Sequence, residues 1–373
     1  MNSCAGKSKN MPATGRSIHG PAIPRNWNIT PEWMTQVVAA RHPGAKVSAV
    51  KRIGGSDGTS SRALFELQYS EGRGPKTLFA KTKGNALRRF FQWATENAFI
   101  EGRLVESGAC LPLEHPVFYY GAVDYLRLND MIIMENVIER GAVLNDATRP
   151  LTVATVAQGL EGLATLHSRY WRFSKATDPQ LGWVRPWTAS RSFKALVKLG
   201  CTRGIPRLRE QLPDDVAALG PEGMVNMWTR QMDSGNSAAA TLLHGDAHVG
   251  NTYTLPDGDL GFFDWGVVRK GHWSYDVGYF IISALDENDR RHFAQDLVEC
   301  YRKALDVPRD DRMSSADAWL RFRSSPPYGL AIWVTTGAED QYQRPEICTR
   351  LAARFASAFV DLNTPEALAR LGS

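Results

Sequence analysis

Hydrophobic and polar positions change rhythm along this chain. Up to about Val137 the apolar residues come in short runs: Val47–Ile53, Ala63–Tyr69, Thr77–Lys81, Phe118–Ala122 and Met131–Val137. In the second run Phe65, Leu67 and Tyr69 alternate on one face. Runs of this length and alternation predict strands. Two helices are expected among them. Thr30-Pro31-Glu32 reads as an N-cap, a proline at the first helical position and an acid in the first turn, so a helix should run to Arg41. A second is expected from Asn85 to Ser107. After Val137 the spacing becomes helical, with Val153, Val156, Leu160, Leu163, Leu166 and Tyr170 on one stripe. Short buried strands are expected at Ala239–Leu243 and Gly261–Phe263, and helices from Tyr275 to the end. The pattern predicts an α+β chain in two lobes, a β-rich lobe over residues 25–137 and a helical lobe over 138–373. Residues 1–24 are polar and rich in Gly, Ser and Pro, and are expected to be disordered.

Composition narrows the class only a little. The chain has 373 residues, 43% hydrophobic and 22% charged, with a net charge of +5 spread among interspersed acids and bases. That charge is too mild and diffuse to argue for nucleic acid. The five cysteines show neither CxxC nor zinc-ligand spacing and read as reduced thiols of a cytoplasmic protein. No apolar run is long enough to predict a membrane span. Gly6-Lys7-Ser8 imitates the end of a phosphate-binding loop, but position 1 is Met1 rather than the required glycine and no strand can precede it.

The chemistry is concentrated in His244-Gly245-Asp246-Ala247-His248-Val249-Gly250-Asn251 and in Phe262-Phe263-Asp264-Trp265-Gly266. Asp246 lies five residues before Asn251, and Asp264 follows thirteen residues later. This order suits phosphoryl transfer. Asp246 would accept or orient the proton of an attacking hydroxyl, and Asn251 and Asp264 would offer oxygen ligands to Mg²⁺ beside a nucleoside triphosphate such as ATP. His248 could face the transferred group as a cation, or as a neutral ring could bond a backbone carbonyl. His244 is expected to brace the loop, and Asp276 to anchor it from below.

The first lobe supplies complementary parts. Gly54, Gly55 and Ser56 lie in a glycine-rich stretch that links two predicted strands and could bring backbone amides to phosphates. Lys81 follows on the third strand, where a lysine can reach the α- and β-phosphates; Lys83 is the neighbour most easily confused with it. A buried lysine needs a carboxylate. Glu96 and Glu101 are the candidates on the next predicted helix, with Glu96 preferred. The strand ending in Met134-Glu135-Asn136-Val137 would present backbone groups of Glu135 and Val137 to adenine.

Together these residues resemble the aminoglycoside phosphotransferase and choline kinase-like superfamily, relatives of the protein kinases. The resemblance covers about residues 45–345 and is carried most specifically by HGDAHVGN and FFDWG. It implies a bilobal protein-kinase-like fold, Asp246 as catalytic aspartate, Asn251 and Asp264 as Mg²⁺ ligands, Lys81 and Glu96 as the ATP-clamping pair, and Asp276 as the brace. Leu163–Trp171 (LATLHSRYW) and Pro326–Trp333 (PPYGLAIW) resemble the ecdysteroid-kinase-like, or CHK-type, branch. The glycine-rich stretch departs from GxGxxG.

Only nine residues separate Gly266 from Asp276, which leaves no room for a protein-kinase activation segment. A small hydroxylated molecule is therefore the expected acceptor, with no nucleic acid, membrane or obligate protein partner. Trp171, Trp183, Trp187, Tyr328, Trp333 and Tyr342 make the second lobe aromatic, which suits either core packing or an apolar substrate. A polycation would want the acids Glu339, Asp340 and Glu346, but Arg344 and Arg350 dilute them. A neutral or apolar alcohol ranks first. An aminoglycoside or macrolide acceptor and a catalytically silent nucleotide-binding relative are the alternatives.

Overall fold

The computed structural model describes residues 20–25, 27–57, 60–83, 99–236, 238–341 and 343–372. It divides into two compact units. One runs to Val143 and takes in Lys175–Trp183 and Phe263–Val267; the other comprises Leu144–Ser174, Val184–Phe262 and Val268–Ser373.

The alternating segments of the first unit pair as one antiparallel sheet. Its strands are β1 (Lys46–Asp57), β2 (Ser60–Glu71), β3 (Thr77–Lys83), β4 (Phe118–Asp124) and β5 (Asn129–Glu135), in the order β1-β2-β3-β5-β4. The alternation has a physical destination. Val47, Phe65, Leu67, Leu78, Ala80, Met131 and Ile133 turn to one core, where they meet Met34, Val37 and Val38 of helix α1 (Pro31–Ala39). Thr30 caps α1 by accepting the Trp33 N–H at 3.2 Å.

The glycine-rich stretch differs from the expected linker. Gly54, Gly55 and Ser56 are paired residues of β1, opposite Leu64, Ala63 and Arg62 of β2. Gly55 has φ 142°, and a Cβ there would lie 2.2 Å from the Arg62 carbonyl oxygen. Its glycine is required by the close approach of the two backbones. Of the second expected helix, residues 85–98 lie outside the described residues, and Ile100–Glu106 form α2.

In the second unit, helix α3 (Val153–Arg169) buries Val156, Leu160 and Leu163, and its N-cap Thr152 accepts the Thr155 N–H. Helices α4 (Arg191–Arg207) and α5 (Gly220–Asn236) follow. Strand β6 (Thr241–Leu243) pairs with β9 (Arg269–Gly271), and β7 (Thr252–Thr254) with β8 (Leu260–Phe262). Helix α6 (Ser274–Ala284) is buried along its whole length. The remaining main helices are α7 (Glu287–Ala304), α8 (Ser315–Arg323), α9 (Pro326–Thr336), α10 (Pro345–Asp361) and α11 (Thr364–Leu371). Among the described residues, no helix is long and apolar enough to cross a membrane.

Helices α9 and α10 meet at Gly329, where a Cβ would stand 2.2 Å from a ring carbon of Phe355. Gly329→Ala should therefore overpack this contact and cost about 1–3 kcal/mol. A urea unfolding midpoint equal to that of the parent would show that the two helices separate without cost.

Candidate active site

The sequence-derived residues fall into two clusters, one in each compact unit. In the first, Lys81 points from β3 with its side chain only 12% exposed. Its ammonium donates to Asp264 Oδ1 at 2.6 Å and lies 2.7 Å from Glu101 Oε2. Burial alone would lower the lysine's pKa. The carboxylates of Asp264 and then Glu101 outweigh it and hold the ammonium above its ordinary pKa. Glu101 is itself pushed up by burial, against the pull of Lys81.

Glu96, the preferred partner, lies outside the described residues. The carboxylate placed on Lys81 is Glu101, from the first turn of α2. Its other oxygen accepts the Trp265 N–H at 3.2 Å, so Glu101 joins the lysine to the backbone of the FFDWG segment. These contacts explain why Phe263–Val267 belongs to the first unit although it follows the second unit's β8. Lys175–Trp183 joins through a cation–π contact, with the Arg103 guanidinium 4.5 Å from the Trp183 ring.

Asp264 has φ +64°, an unusual conformation for a residue with a Cβ. Left-handed backbone costs about 1–2 kcal/mol per residue, and Asp is among the residues that accept it. The Lys81 contact and the Trp265 N–H bond to Glu101 hold the segment there. Arg62 adds a looser contact, 3.7 Å from Asp264 Oδ2. Nothing in the sequence singled out Arg62. Glu135 ends β5, where its carboxylate accepts the Val117 N–H, and Val137 opens a short 3-10 turn.

The second cluster is the loop after β6. Asp276, in the first turn of α6 and 1% exposed, receives the His244 N–H at 2.7 Å and the Gly245 N–H at 2.9 Å. The His167 Nε2 lies 3.2 Å away, and that ring's Nδ1 is 2.8 Å from the Tyr301 hydroxyl. The anchor expected at Asp276 thus has its own support from the end of α3. His167 stood inside LATLHSRYW, but its helical spacing alone gave no reason to assign it that role. Further along the loop, the Val249 N–H donates to Ser283 Oγ at 3.0 Å.

On this base Asn251 turns its amide to Asp246. Asn251 Nδ2 donates to the Asp246 carbonyl and to Asp246 Oδ2, both at 2.9 Å. Both amide hydrogens are thereby directed at Asp246, and the Asn251 Oδ1 is the atom of that side chain suited to a hard cation. The Asp246 side chain is 28% exposed. His244 braces the loop as expected, its Nδ1 accepting the Asp246 N–H at 3.3 Å.

His248 caps the turn Val249–Asn251, and its Nδ1 accepts the Gly250 N–H at 3.0 Å. An accepting Nδ1 places the ring proton on Nε2, which lies 3.9 Å from Asp246 Oδ2. Nδ1 thus serves the turn by accepting from a backbone amide. Its ring stands edge-on to Trp333 at 5.1 Å and near Tyr279 at 5.8 Å. Burial, and then the nearby charge of Asp246, push the Tyr279 and Tyr328 phenols well up. The Tyr328 hydroxyl donates to the Gly245 carbonyl at 3.4 Å and meets Trp187 at 5.1 Å between ring centres. Of the other aromatics, Trp171 bonds Asp311, and Tyr342 lies outside the described residues.

A family model described as the phosphotransferase enzyme family matches residues 116–313, more than half of the chain. The chain belongs to that family and is a phosphotransferase. No curated protein matches it in sequence. Among solved structures it is similar to the spectinomycin phosphotransferase APH(9)-Ia in complex with ADP and spectinomycin, at 14% identity over 90% of this chain and 99% of that one, with a TM-score of 0.50. A putative aminoglycoside phosphotransferase from Ralstonia eutropha JMP134 gives 13% identity over 89% and 97%, also with a TM-score of 0.50. These likenesses confirm the protein-kinase-like phosphotransferase fold. The choline kinase LicA from Streptococcus pneumoniae also matches, at 14% identity over 85% and 94%, with a TM-score of 0.44.

Asp276→Ala would leave the His244 and Gly245 N–H groups buried without an acceptor. Each such loss costs about 1–3 kcal/mol. Chemical denaturation should show a destabilisation of that order; an unchanged midpoint would mean that the loop is held by other contacts.

Proposed function

We propose that this chain transfers the γ-phosphoryl group of ATP, with Mg²⁺, to a hydroxyl of a small neutral or apolar molecule. The observation that carries the reading is the setting of Asp246. Its loop is pinned below by Asp276 and Ser283, while its carboxylate keeps an exposed edge and a fixed orientation from Asn251. A carboxylate so held can orient an acceptor hydroxyl and take its proton as the oxygen attacks phosphorus.

The other roles follow from chemistry already described. Lys81, kept charged by Asp264 and Glu101, binds the α- and β-phosphates. Gly54, Gly55 and Ser56 lie beside the phosphates, and the backbone of Glu135 and Val137 receives adenine. Asn251 and Asp264 hold Mg²⁺ through oxygen; an amide and a carboxylate suit this ion, which takes few protein ligands and completes its shell with phosphate and water. When bound, the ion neutralises phosphate charge. His248 sits beside Asp246, with Nδ1 on the Gly250 N–H and Nε2 3.9 Å from Asp246 Oδ2, where it holds the turn and can face the transferred group.

A neutral acceptor is supported by the fate of the acids that a polycation would need. Glu339 pairs with Arg203 at 2.8 Å, Asp340 pairs with Arg207, and Glu346 lies 3.3 Å from Arg344. The CHK-type placement is part of the same proposal. The two segments that carry it both reach the catalytic loop, through His167 on Asp276 and Tyr328 on Gly245. The absence of paired cysteine spacing supports work in the cytoplasm.

The test is ADP release from MgATP with sterols, aromatic alcohols, sugars, choline, macrolides and aminoglycosides, using Asp246→Asn as the blank. A neutral or apolar alcohol should stimulate release at least ~100-fold over the blank, the size of a general-base contribution. Stimulation by aminoglycosides alone would overturn the substrate class, and an equally active Asp246→Asn would overturn the catalytic assignment.

A further inference from the structure

We propose that Asp130 is a positioning residue for the Lys81–Glu101 pair, acting through Lys83 and the start of α2. The inference rests on the nucleotide-binding role given to Lys81 above.

Lys81 and Lys83 are two residues apart on β3, and a strand's two-residue period puts them on one face. Each has a carboxylate. Lys81 has Glu101, and Lys83 Nζ lies 3.7 Å from Asp130 Oδ1, with side chains only 13% and 7% exposed. Asp130 reaches Lys83 because β5 runs antiparallel to β3, with Ile132 opposite Lys81 and Met131 opposite Thr82. Thr82, facing the other way, locks the register by donating to the Asp130 carbonyl at 2.6 Å.

Asp130 also holds the helix that carries Glu101. The N-cap of α2 is Phe99, at φ +64°, which offers no side-chain acceptor to the first turn. The Asp130 carboxylate stands against that turn from β5, where the nearby Gly102 N–H favours its charged form. That is the third helical position, the N–H that an N-cap side chain ordinarily satisfies. A carboxylate there also suits the positive end of the helix. The approach is so close that a Cβ on Gly102 would lie 2.7 Å from Asp130 Cβ. One carboxylate therefore fixes the residue next to Glu101 and neutralises the lysine that would compete for Glu101. The field of Lys83 already reaches Glu101.

If the Asp130 charge is removed, Lys83 loses its counter-ion and turns to Glu101, which loosens Glu101 from Lys81. Asp130→Asn tests this while keeping a side chain of the same size against Gly102. The primary readout uses no nucleotide: acetic anhydride labelling of Lys81 in the full chain, measured by mass spectrometry. Loosening of the Lys81–Glu101 ion pair, which shields the amine, should raise its labelling several-fold over the parent. Adding Lys83→Met to Asp130→Asn should return it towards the parent. In the ADP-release assay, KM for MgATP should rise about tenfold, the equivalent of 1.4 kcal/mol, with a smaller change in kcat.

Gly102→Ala keeps every charge, displaces α2 from Asp130 and should raise labelling in the same direction, so the proposal stays testable if Asp130→Asn fails to fold. Parental labelling in folded Asp130→Asn or Gly102→Ala would overturn the proposal. So would a rise that Lys83→Met leaves unreversed, since that marks a merely structural role. A protein that makes no use of ATP would refute the functional reading through the KM arm and still leave the labelling result to decide the ion-pair network.

Discussion

A buried ammonium is the constraint on which the first unit depends. Lys81 sits on a central strand of the sheet, away from water, and an unpaired charge there would cost several kcal/mol. The chain meets it with two carboxylates from distant parts of the sequence, Glu101 on α2 and Asp264 after β8. Much else follows from that requirement. It brings Phe263–Val267 into the first unit, holds Asp264 in a left-handed conformation, and fixes α2 by its first turn. A lysine kept charged in a water-poor setting is also what a polyphosphate needs, because the interaction is stronger there than in bulk water.

The second unit meets a different constraint with a similar device. A loop that must present Asp246 contains backbone N–H groups with no helix or strand to absorb them. Asp276, buried at the start of α6, absorbs two of them, and Ser283 absorbs the Val249 N–H. Asn251 then spends both amide hydrogens on Asp246. In both units the groups assigned to chemistry are oriented by buried carboxylates that have no expected contact with substrate.

The strands and main helices were legible because their periods are set by one buried face, and Phe65, Leu67, Val156 and Leu160 all turn inward as their spacing required. Thr30 capping α1 and Asp276 anchoring the loop were legible from local chemistry. The misreadings have physical causes too. Gly54–Ser56 looked like a linker because turns and close strand approaches both call for glycine, and only the pairing with Arg62–Leu64 distinguishes them. The choice between Glu96 and Glu101 depended on helical phase, which one-dimensional spacing does not fix; Glu101 lies 2.7 Å from Lys81, and Glu96 is outside the described residues. His167, Arg62 and Asp130 act through partners distant in sequence, and no periodic pattern announces such contacts.

The central claim is that Asp264 and Lys81 belong to a site for a magnesium-bound nucleotide. Calorimetric titration of ATP, with and without Mg²⁺, into the parent protein and Asp264→Asn tests it most directly. The account predicts that Mg²⁺ tightens ATP binding to the parent by about tenfold or more, equivalent to at least 1.4 kcal/mol, and that Asp264→Asn loses this gain while still binding ATP weakly. Equal affinity with and without Mg²⁺ in the parent, or an undiminished gain in the variant, would contradict it.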